Sequence, residues 1–111
     1  MTAEAQVVGI AVVLSGDGDR CLVGERPADV PLGGCLEFPG GKCLPDESPC
    51  DAAVRECLEE SGIAIEPLRR LSRRTHDYDH GRVTLHFWLC RPVDEHPAPP
   101  SDPFCWYATS D

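Results

Sequence analysis

The stretch from residue 41 to residue 63 reads GKCLPDESPCDAAVRECLEESGI, and it determines how the rest of the chain is interpreted. Ser48 suits the residue before a helix, and Pro49 suits its first position. Gly62 suits the left-handed residue that ends a helix. We therefore predict a helix over about residues 49–61.

The predicted helix has two unlike sides. On a 3.6-residue period, one side is a stripe of small or apolar residues, namely Ala53, Val54, Cys57, Leu58 and Ser61. Glu56, Glu59 and Glu60 project from the opposite side, where their like charges repel. A solvated acidic face is the common outcome for such a cluster. A bound divalent cation is the alternative, because Mg²⁺ accepts carboxylate ligands.

The same stretch is similar to the Nudix box, G-x5-E-x7-R-E-U-x-E-E-x-G-U with U apolar, and every fixed position matches. Cys57 is an unusual choice at the first apolar position. Residues 26–29, 36–42, 76–78 and 83–89 resemble the MutT-like branch of the family. The resemblance extends from about Val7 to Trp106. It implies an α/β fold, the Nudix α/β/α sandwich with a mixed β-sheet.

The resemblance also implies a metal site. The carbonyl of Gly41 and the carboxylates of Glu56, Glu59 and Glu60 would bind Mg²⁺, with Mn²⁺ as an alternative. Glu56 would also activate the attacking water.

Two further residues of the box would support these ligands. Arg55 would hold the glutamates in position, or it would only form a surface ion pair with Asp51 or Glu59. Glu47 could be a carboxylate behind the ligands, or it could simply be an acid near a helix N-terminus, where negative charge is favourable.

Three residues outside the box are candidate substrate contacts. Arg26 resembles the arginine that contacts substrate phosphate in MutT-like enzymes, and its alternative role is an exposed surface charge. Phe38 and Tyr78 could frame a nucleotide base, although aromatic residues near strands more often pack in a core.

The expected activity is Mg²⁺-dependent hydrolysis of a nucleoside triphosphate to a monophosphate and pyrophosphate, in nucleotide-pool sanitising and DNA repair. An oxidised nucleotide such as 8-oxo-dGTP is one candidate substrate. Cys105 departs from the family pattern, since MutT-like enzymes commonly have a glutamate before the tryptophan matched by Trp106. A nucleotide-binding module with weak or lost catalysis, or a hydrolase that depends on a partner domain, are the alternatives.

Composition limits the remaining function classes. The chain has 111 residues, so one domain is expected over residues 1–111, and its net charge of −9 does not suit binding to a nucleic acid polymer. Its sequence has no apolar run long enough to span a membrane and no signal peptide, so a cytoplasmic protein is expected. The seven cysteines are an odd number without a C-x2-C pair, which favours free thiols.

Periodicity outside the helix indicates strands, predicted at residues 6–14, 20–25, 35–38, 65–77, 82–90 and 104–108. Three segments are predicted to be loops, namely residues 29–34, residues 40–47 and the proline-rich, acidic residues 92–103. These elements predict a mixed sheet with at least one packed helix. The resemblance adds a C-terminal helix, which we expect to be missing because the sequence ends at Asp111. Either the sheet face is then left uncovered, or the sequence is truncated, or a second copy of the chain or another partner covers that face.

Overall fold

The structure is a computed structural model that describes residues 4–26, 28–29, 33–79 and 81–109. Pro27 and residues 30–32, which belong to a MutT-like motif and a predicted loop, lie outside this part. The elements are β1 (Glu4–Val13), β2 (Arg20–Glu25), β3 (Leu36–Glu37), β4 (Gly40–Lys42), α1 (Pro49–Ser61), β5 (Ile65–Tyr78), β6 (Gly81–Pro92) and β7 (Phe104–Ala108). One helix thus stands between four strands and three strands, and the predicted α/β class is confirmed. No helix in the described ranges has the length and apolar character needed to cross a membrane.

The strands form two sheets, and the larger of them is the predicted mixed sheet. The larger sheet has the order β4-β1-β6-β5, in which β1 runs parallel to β6 and the other pairs are antiparallel. The smaller sheet has the order β3-β2-β7 and is antiparallel. Because β4 and β6 occupy both edges of β1, β2 does not pair along β1. In the described residues an isolated bridge joins Leu14, the residue after β1, to Cys21 of β2, and β2 forms a second sheet with β3 and β7.

Strand β4 lies within a segment that was predicted to be a loop, residues 40–47, and this prediction was wrong for its first three residues. Lys42, Gly41 and Gly40 pair with Val8, Gly9 and Ile10 of β1. A Cβ atom at Gly40 would lie 2.5 Å from the carbonyl oxygen of Gly9, so only glycine can approach β1 this closely. Two glycines give no alternating apolar pattern, and the strand is therefore invisible to periodicity.

Helix α1 begins and ends as predicted. The Ser48 side chain accepts a hydrogen bond from the Asp51 N–H at 3.0 Å, and Pro49 occupies the first turn. At the other end Gly62 has a φ of 78° and its N–H donates to the Leu58 carbonyl at 2.9 Å. Both ends of the helix therefore follow from local sequence chemistry.

The side of α1 that packs on the sheet differs from the predicted stripe at two positions. Ala52, Ala53, Cys57 and Ser61 are buried, whereas Leu58 is 51% exposed. Leu58 therefore lies towards solvent, and Ala52 contributes to the packed side instead. The core beyond the helix comprises Ala11, Val13, Leu22, Ile63, Ile65, Cys90 and Phe104.

The side chains of strand β6 point alternately to the two sides of the larger sheet, as predicted. Its register with β1 places Trp88 beside Ala11 and Cys90 beside Val13, on the side that α1 covers. The opposite side has Val83, Leu85, Phe87 and Leu89, all partly buried. Within the described ranges α1 is the one helix, so no helix covers that side. Coverage by a second copy or another partner stays a prediction.

Candidate active site

Arg55 lies at the centre of the carboxylates of the box. Its Nε and Nη2 donate to the two carboxylate oxygens of Glu47, at 2.8 and 3.0 Å. Its Nη1 donates to Glu56 Oε1 at 2.7 Å and to Glu59 Oε2 at 3.2 Å. The remaining contact is from Nη2 to the Lys42 carbonyl oxygen of β4 at 3.1 Å. One guanidinium therefore joins the helix, the loop before it and the neighbouring strand.

The pair between Arg55 and Glu47 is partly buried, with 24% and 13% of the two side chains exposed. The hydrogen bonds from Arg55, helped by the Leu44 N–H, lower the pKa of Glu47. The hydrogen bonds to Glu47 and Glu56 raise the pKa of Arg55 in turn. Both groups are therefore ionised, and the bidentate pair of hydrogen bonds fixes the orientation of the guanidinium. The ion pair with Glu59, expected as an alternative, is present alongside these contacts.

Glu56 occupies a space that exists because residue 41 is glycine. Gly41 pairs with Gly9 in the larger sheet. A Cβ atom at Gly41 would lie 2.5 Å from the carboxyl carbon of Glu56 and 2.7 Å from its Oε2. Since Arg55 holds Oε1, Oε2 is the oxygen that lies against the strand. Gly41 and Glu56, two predicted metal-binding residues, are thus brought together.

Glu60 completes the acidic side of the helix. Its Oε1 accepts a hydrogen bond from the Gly40 N–H at 3.0 Å. Burial by the surrounding protein raises the pKa of Glu60, the Gly40 N–H opposes this, and the charges of Glu56, Glu37 and Glu59 raise it further. The negative charge at Glu60 is therefore not neutralised by the fold.

The acidic residues fit a bound divalent ion of the Mg²⁺ type. Carboxylate and carbonyl oxygens are hard donors, and the repulsion felt at Glu60 is the kind that a cation relieves. Within the described residues no group of three or more His, Cys, Asp or Glu side chains is arranged so that it could hold a metal ion by itself. Mg²⁺ does not require one, because it keeps waters and takes substrate phosphates as ligands.

Two of the predicted substrate residues lie on the smaller sheet. Arg26 directly follows β2, and its Nη1 lies 3.4 Å from both carboxylate oxygens of Glu37. Phe38 directly follows β3, and it is 39% exposed. The ring lines a cavity of about 370 Å³ together with Val8, Ile10, Leu36, Glu37 and Gly40. Because the Gly40 N–H binds Glu60, this cavity lies next to the carboxylates.

Sequence reasoning did not single out Glu37, although it stands in the LEFPGGK segment used for the resemblance. The structure gives it two links to the site, an ion pair with Arg26 and an electrostatic effect on Glu60. The signal available in the sequence was the position of Glu37 between Leu36 and Phe38. In the structure both of these neighbours line the cavity.

Tyr78 is not brought close to the carboxylates. It pairs with Gly81 at the tip of the β5–β6 hairpin, and Gly81 pairs with Glu4 at the start of β1. Glu4 lies five residues before Gly9, the partner of Gly41, which corresponds to about 16 Å along the strand. Tyr78 is 52% exposed and its ring lies 6.2 Å from that of His76. Its role in framing a base stays a prediction.

Comparisons with known proteins identify the class to which this fold and site belong. The family model of the NUDIX domain matches residues 9–111. The chain therefore belongs to the NUDIX family. A search of curated proteins found no significant match.

Solved structures support the same class. A MutT NUDIX hydrolase from Burkholderia pseudomallei is 26% identical with a TM-score of 0.71, covering 97% of this chain and 86% of that one. The ORF135 protein of E. coli is 28% identical with a TM-score of 0.71, covering 96% of this chain and 75% of that one. A MutT protein from Methanosarcina mazei Go1, at 22% identity and a TM-score of 0.69, shares the fold, with 91% and 71% of the two chains covered.

The protein is accordingly a MutT-like Nudix hydrolase, a pyrophosphohydrolase that acts on substrates with a nucleoside diphosphate linkage. Nudix hydrolases generally use divalent metal ions. The single described helix and the mixed larger sheet agree with the predicted Nudix sandwich.

Proposed function

We propose that the chain is a Mg²⁺-dependent hydrolase that converts a nucleoside triphosphate to a nucleoside monophosphate and pyrophosphate. An oxidised nucleotide such as 8-oxo-dGTP is one candidate substrate. The observation that carries the proposal is the gathering of Glu47, Glu56 and Glu59 around Arg55, with Glu56 directly against Gly41.

Four residues would hold the metal. Glu56, Glu59 and Glu60 present carboxylates on one side of α1, and Gly41 would contribute its carbonyl oxygen. Mg²⁺ bound there would neutralise charge on the phosphate oxygens and make the phosphorus a better electrophile. The charge repulsion at Glu60 supports this assignment, because it costs stability and a bound cation would relieve it.

The chain's own groups would position the reacting water. Glu56 would accept the proton of the water, acting through Oε2 because Arg55 holds its other oxygen. Arg55 is itself held by the two oxygens of Glu47, so the orientation of Glu56 depends on a residue outside the helix. Displacing a catalytic carboxylate by about 1 Å can cost about 100-fold in rate.

The cavity beside Phe38 would receive the base. Its floor is formed by Val8 and Ile10 of β1, and the ring of Phe38 offers a surface for stacking. Arg26 forms an ion pair with Glu37, which lines this cavity, so Arg26 would approach the phosphate chain of the substrate. This arrangement would orient the phosphates towards the carboxylates of α1.

The test is an assay of the purified chain against a nucleotide panel with 8-oxo-dGTP, dCTP, ADP-ribose and a dinucleoside polyphosphate, with Mg²⁺, with Mn²⁺ and with a chelator. We expect release of monophosphate and pyrophosphate from a nucleoside triphosphate, which the chelator abolishes. Glu56→Gln should lower kcat by at least about 100-fold. The matched control is Glu66→Gln, which changes the same charge at an exposed ion pair on β5.

Three results would contradict the proposal. Turnover that is unchanged in the chelator would exclude the metal role. Equal activity in Glu56→Gln and Glu66→Gln would remove Glu56 from the reaction. Turnover confined to ADP-ribose or the dinucleoside polyphosphate would keep the family activity but overturn the triphosphate substrate.

A further inference from the structure

Strand β5 is the outermost strand of the larger sheet. Its inner edge pairs with β6, and no other described strand pairs with its outer edge. All but the first two of its 14 residues are exposed. The strand therefore presents a long row of backbone N–H and C=O groups to solvent.

Four arginines surround this edge. Arg70 and Arg73 pair with Trp88 and His86, which places them on the side of the sheet that α1 covers. Arg69 and Arg74 pair with Leu89 and Leu85, on the opposite side. The guanidinium groups thus lie on both sides of a single exposed edge.

Within the part of the chain that the structure describes, these four arginines have no internal counterion. Among the described residues none of them makes a hydrogen bond or an ion pair, whereas Arg82 and Arg91 of β6 pair with Asp77 and Glu66 of β5. The chain has ten basic residues against 19 acidic ones, so four unneutralised arginines within six positions stand apart from the rest of it. Their charge also reaches the sheet, since burial and then Arg70 and Arg73 lower the pKa of His86.

Two leucines interrupt the arginines. The register shifts between Pro67 and Arg69 and between Arg70 and Ser72 leave Leu68 and Leu71 as the extra residues of two bulges. Leu68 is 50% exposed and Leu71 is 39% exposed. The edge thus combines backbone hydrogen-bonding groups, guanidinium groups and apolar contact area.

We propose that the outer edge of β5 binds an extended acidic segment of a protein partner, which adds to the sheet as a further strand. This inference goes beyond nucleotide hydrolysis. Successive side chains of a strand point to opposite sides, so a run of consecutive acidic residues would place carboxylates on both sides of the sheet. Each side would meet two arginines, which bind carboxylates through paired N–H groups. Backbone hydrogen bonds would supply the affinity, as in other cases of strand addition.

Other occupants fit less well. A second copy of β5 would bring arginine against arginine. A single-stranded nucleic acid would meet the arginines, but it would leave the backbone N–H and C=O groups of the strand edge unpaired. Charged residues also protect edge strands from pairing, and in that case no strand would add to β5 at all.

The test uses a synthetic peptide of about twelve residues with a central run of Asp and Glu, and a control peptide in which Asn and Gln replace the acids. Binding is measured by calorimetry, and amide hydrogen exchange of the ¹⁵N-labelled chain is followed by NMR. We expect the acidic peptide alone to bind and to slow exchange at outward-facing amides between Ser72 and Tyr78. Arg69→Gln/Arg74→Gln and Arg70→Gln/Arg73→Gln should each weaken binding by about three- to tenfold.

Arg20→Gln is the control, because it removes a positive charge from β2, away from the outer edge, and should leave binding unchanged. All variants should retain the circular dichroism spectrum and nucleotide turnover of the wild type, since these side chains lie outside the candidate active site. An oligothymidylate strand that binds as tightly as the acidic peptide would overturn the proposal. So would peptide binding without slower exchange on β5, or an absence of binding.

Discussion

On each of the two sides of α1, a glycine of the larger sheet lets the helix lie close. One glycine makes room for helix backbone and the other for a side chain. Gly9 of β1 makes room for the helix backbone, at the carbonyl of Pro49 and the N–H of Ala53. Gly41 of β4 makes room for the carboxylate of Glu56. A backbone cannot move without moving the helix, whereas a side chain can rotate. The same substitution should therefore damage the fold on one side and the chemistry on the other.

The largest effect is expected for Gly9→Ala. Its Cβ would lie 2.0 Å from the Pro49 carbonyl oxygen and 2.8 Å from the Ala53 nitrogen, so the first half of α1 would be pushed away from β1. We expect the free energy of unfolding to fall by about 3 kcal/mol. Urea denaturation measures it.

Gly16→Ala is the control for this substitution, since nothing lies within 4 Å of a Cβ atom there. Equal stability of the two variants would show that α1 does not pack on β1 at Gly9.

Gly41→Ala tests the other side of the helix. Its Cβ would displace the Glu56 carboxylate, which can turn towards solvent at little cost to the fold. We expect stability to change by less than about 1 kcal/mol, while kcat falls by about 10- to 100-fold. The measurement is kcat on whichever nucleotide is hydrolysed, with Gly16→Ala again as control. Wild-type turnover in Gly41→Ala would mean that Glu56 acts from another position.

The bounds of α1 were more predictable from sequence than the arrangement of the strands. The helix Pro49–Ser61, its caps and β2 follow from local rules and were predicted at the residues observed. The division into two sheets was not predicted, because it depends on which strands occupy the edges of β1. Strand β4 escaped prediction because close packing, not an apolar pattern, selects its glycines.

The residues of the acidic side of α1 were predictable from sequence, but the contacts that their neighbours make were not. Glu56, Glu59 and Glu60 share one face of a helix by spacing alone. The contact between Arg55 and Glu47 is a tertiary one, since the two residues are eight apart and Glu47 precedes the helix. Periodicity has no means of finding it, and the resemblance indicated only that Arg55 holds glutamates in position. Glu37, which reaches the site from the smaller sheet, was not singled out at all.

A pH experiment tests the burial of Cys90 in the core on the packed side of the larger sheet. Burial raises the pKa of Cys90 to about 12, with contributions from Cys50 and Cys57, whereas an exposed thiol ionises near 9. Between these values the unfolded chain has released a proton that the folded chain keeps, so stability falls as pH rises. From about pH 8.5 to about pH 10 the wild type should lose about 1 kcal/mol more than Cys90→Ala. Urea denaturation at both pH values measures this difference.

Cys105→Ala is the control for that experiment, because Cys105 is exposed in β7. It should lose stability with pH as the wild type does. A Cys90→Ala variant with the same pH dependence as the wild type would mean that the thiol is accessible to water in the folded protein.

The smallest effect is expected for Glu60→Gln, and its direction separates the two sides of the helix. Glutamine keeps an oxygen for the Gly40 N–H and removes the repulsion from Glu56, Glu59 and Glu37. In a chelator the variant should therefore be more stable than the wild type, by about 0.3–0.5 kcal/mol. On the packed side, by contrast, substitutions should only destabilise.

The same variant should respond less to Mg²⁺. A ligand that binds only the folded state stabilises it, so the wild type should gain stability in Mg²⁺ and Glu60→Gln should gain less. Glu66→Gln, at an ion pair on β5, should respond as the wild type does. Loss of stability in the chelator would show that the fold already satisfies the charge of Glu60. The charged side of α1 would then be a structural network around Arg55, and the metal would have to bind elsewhere.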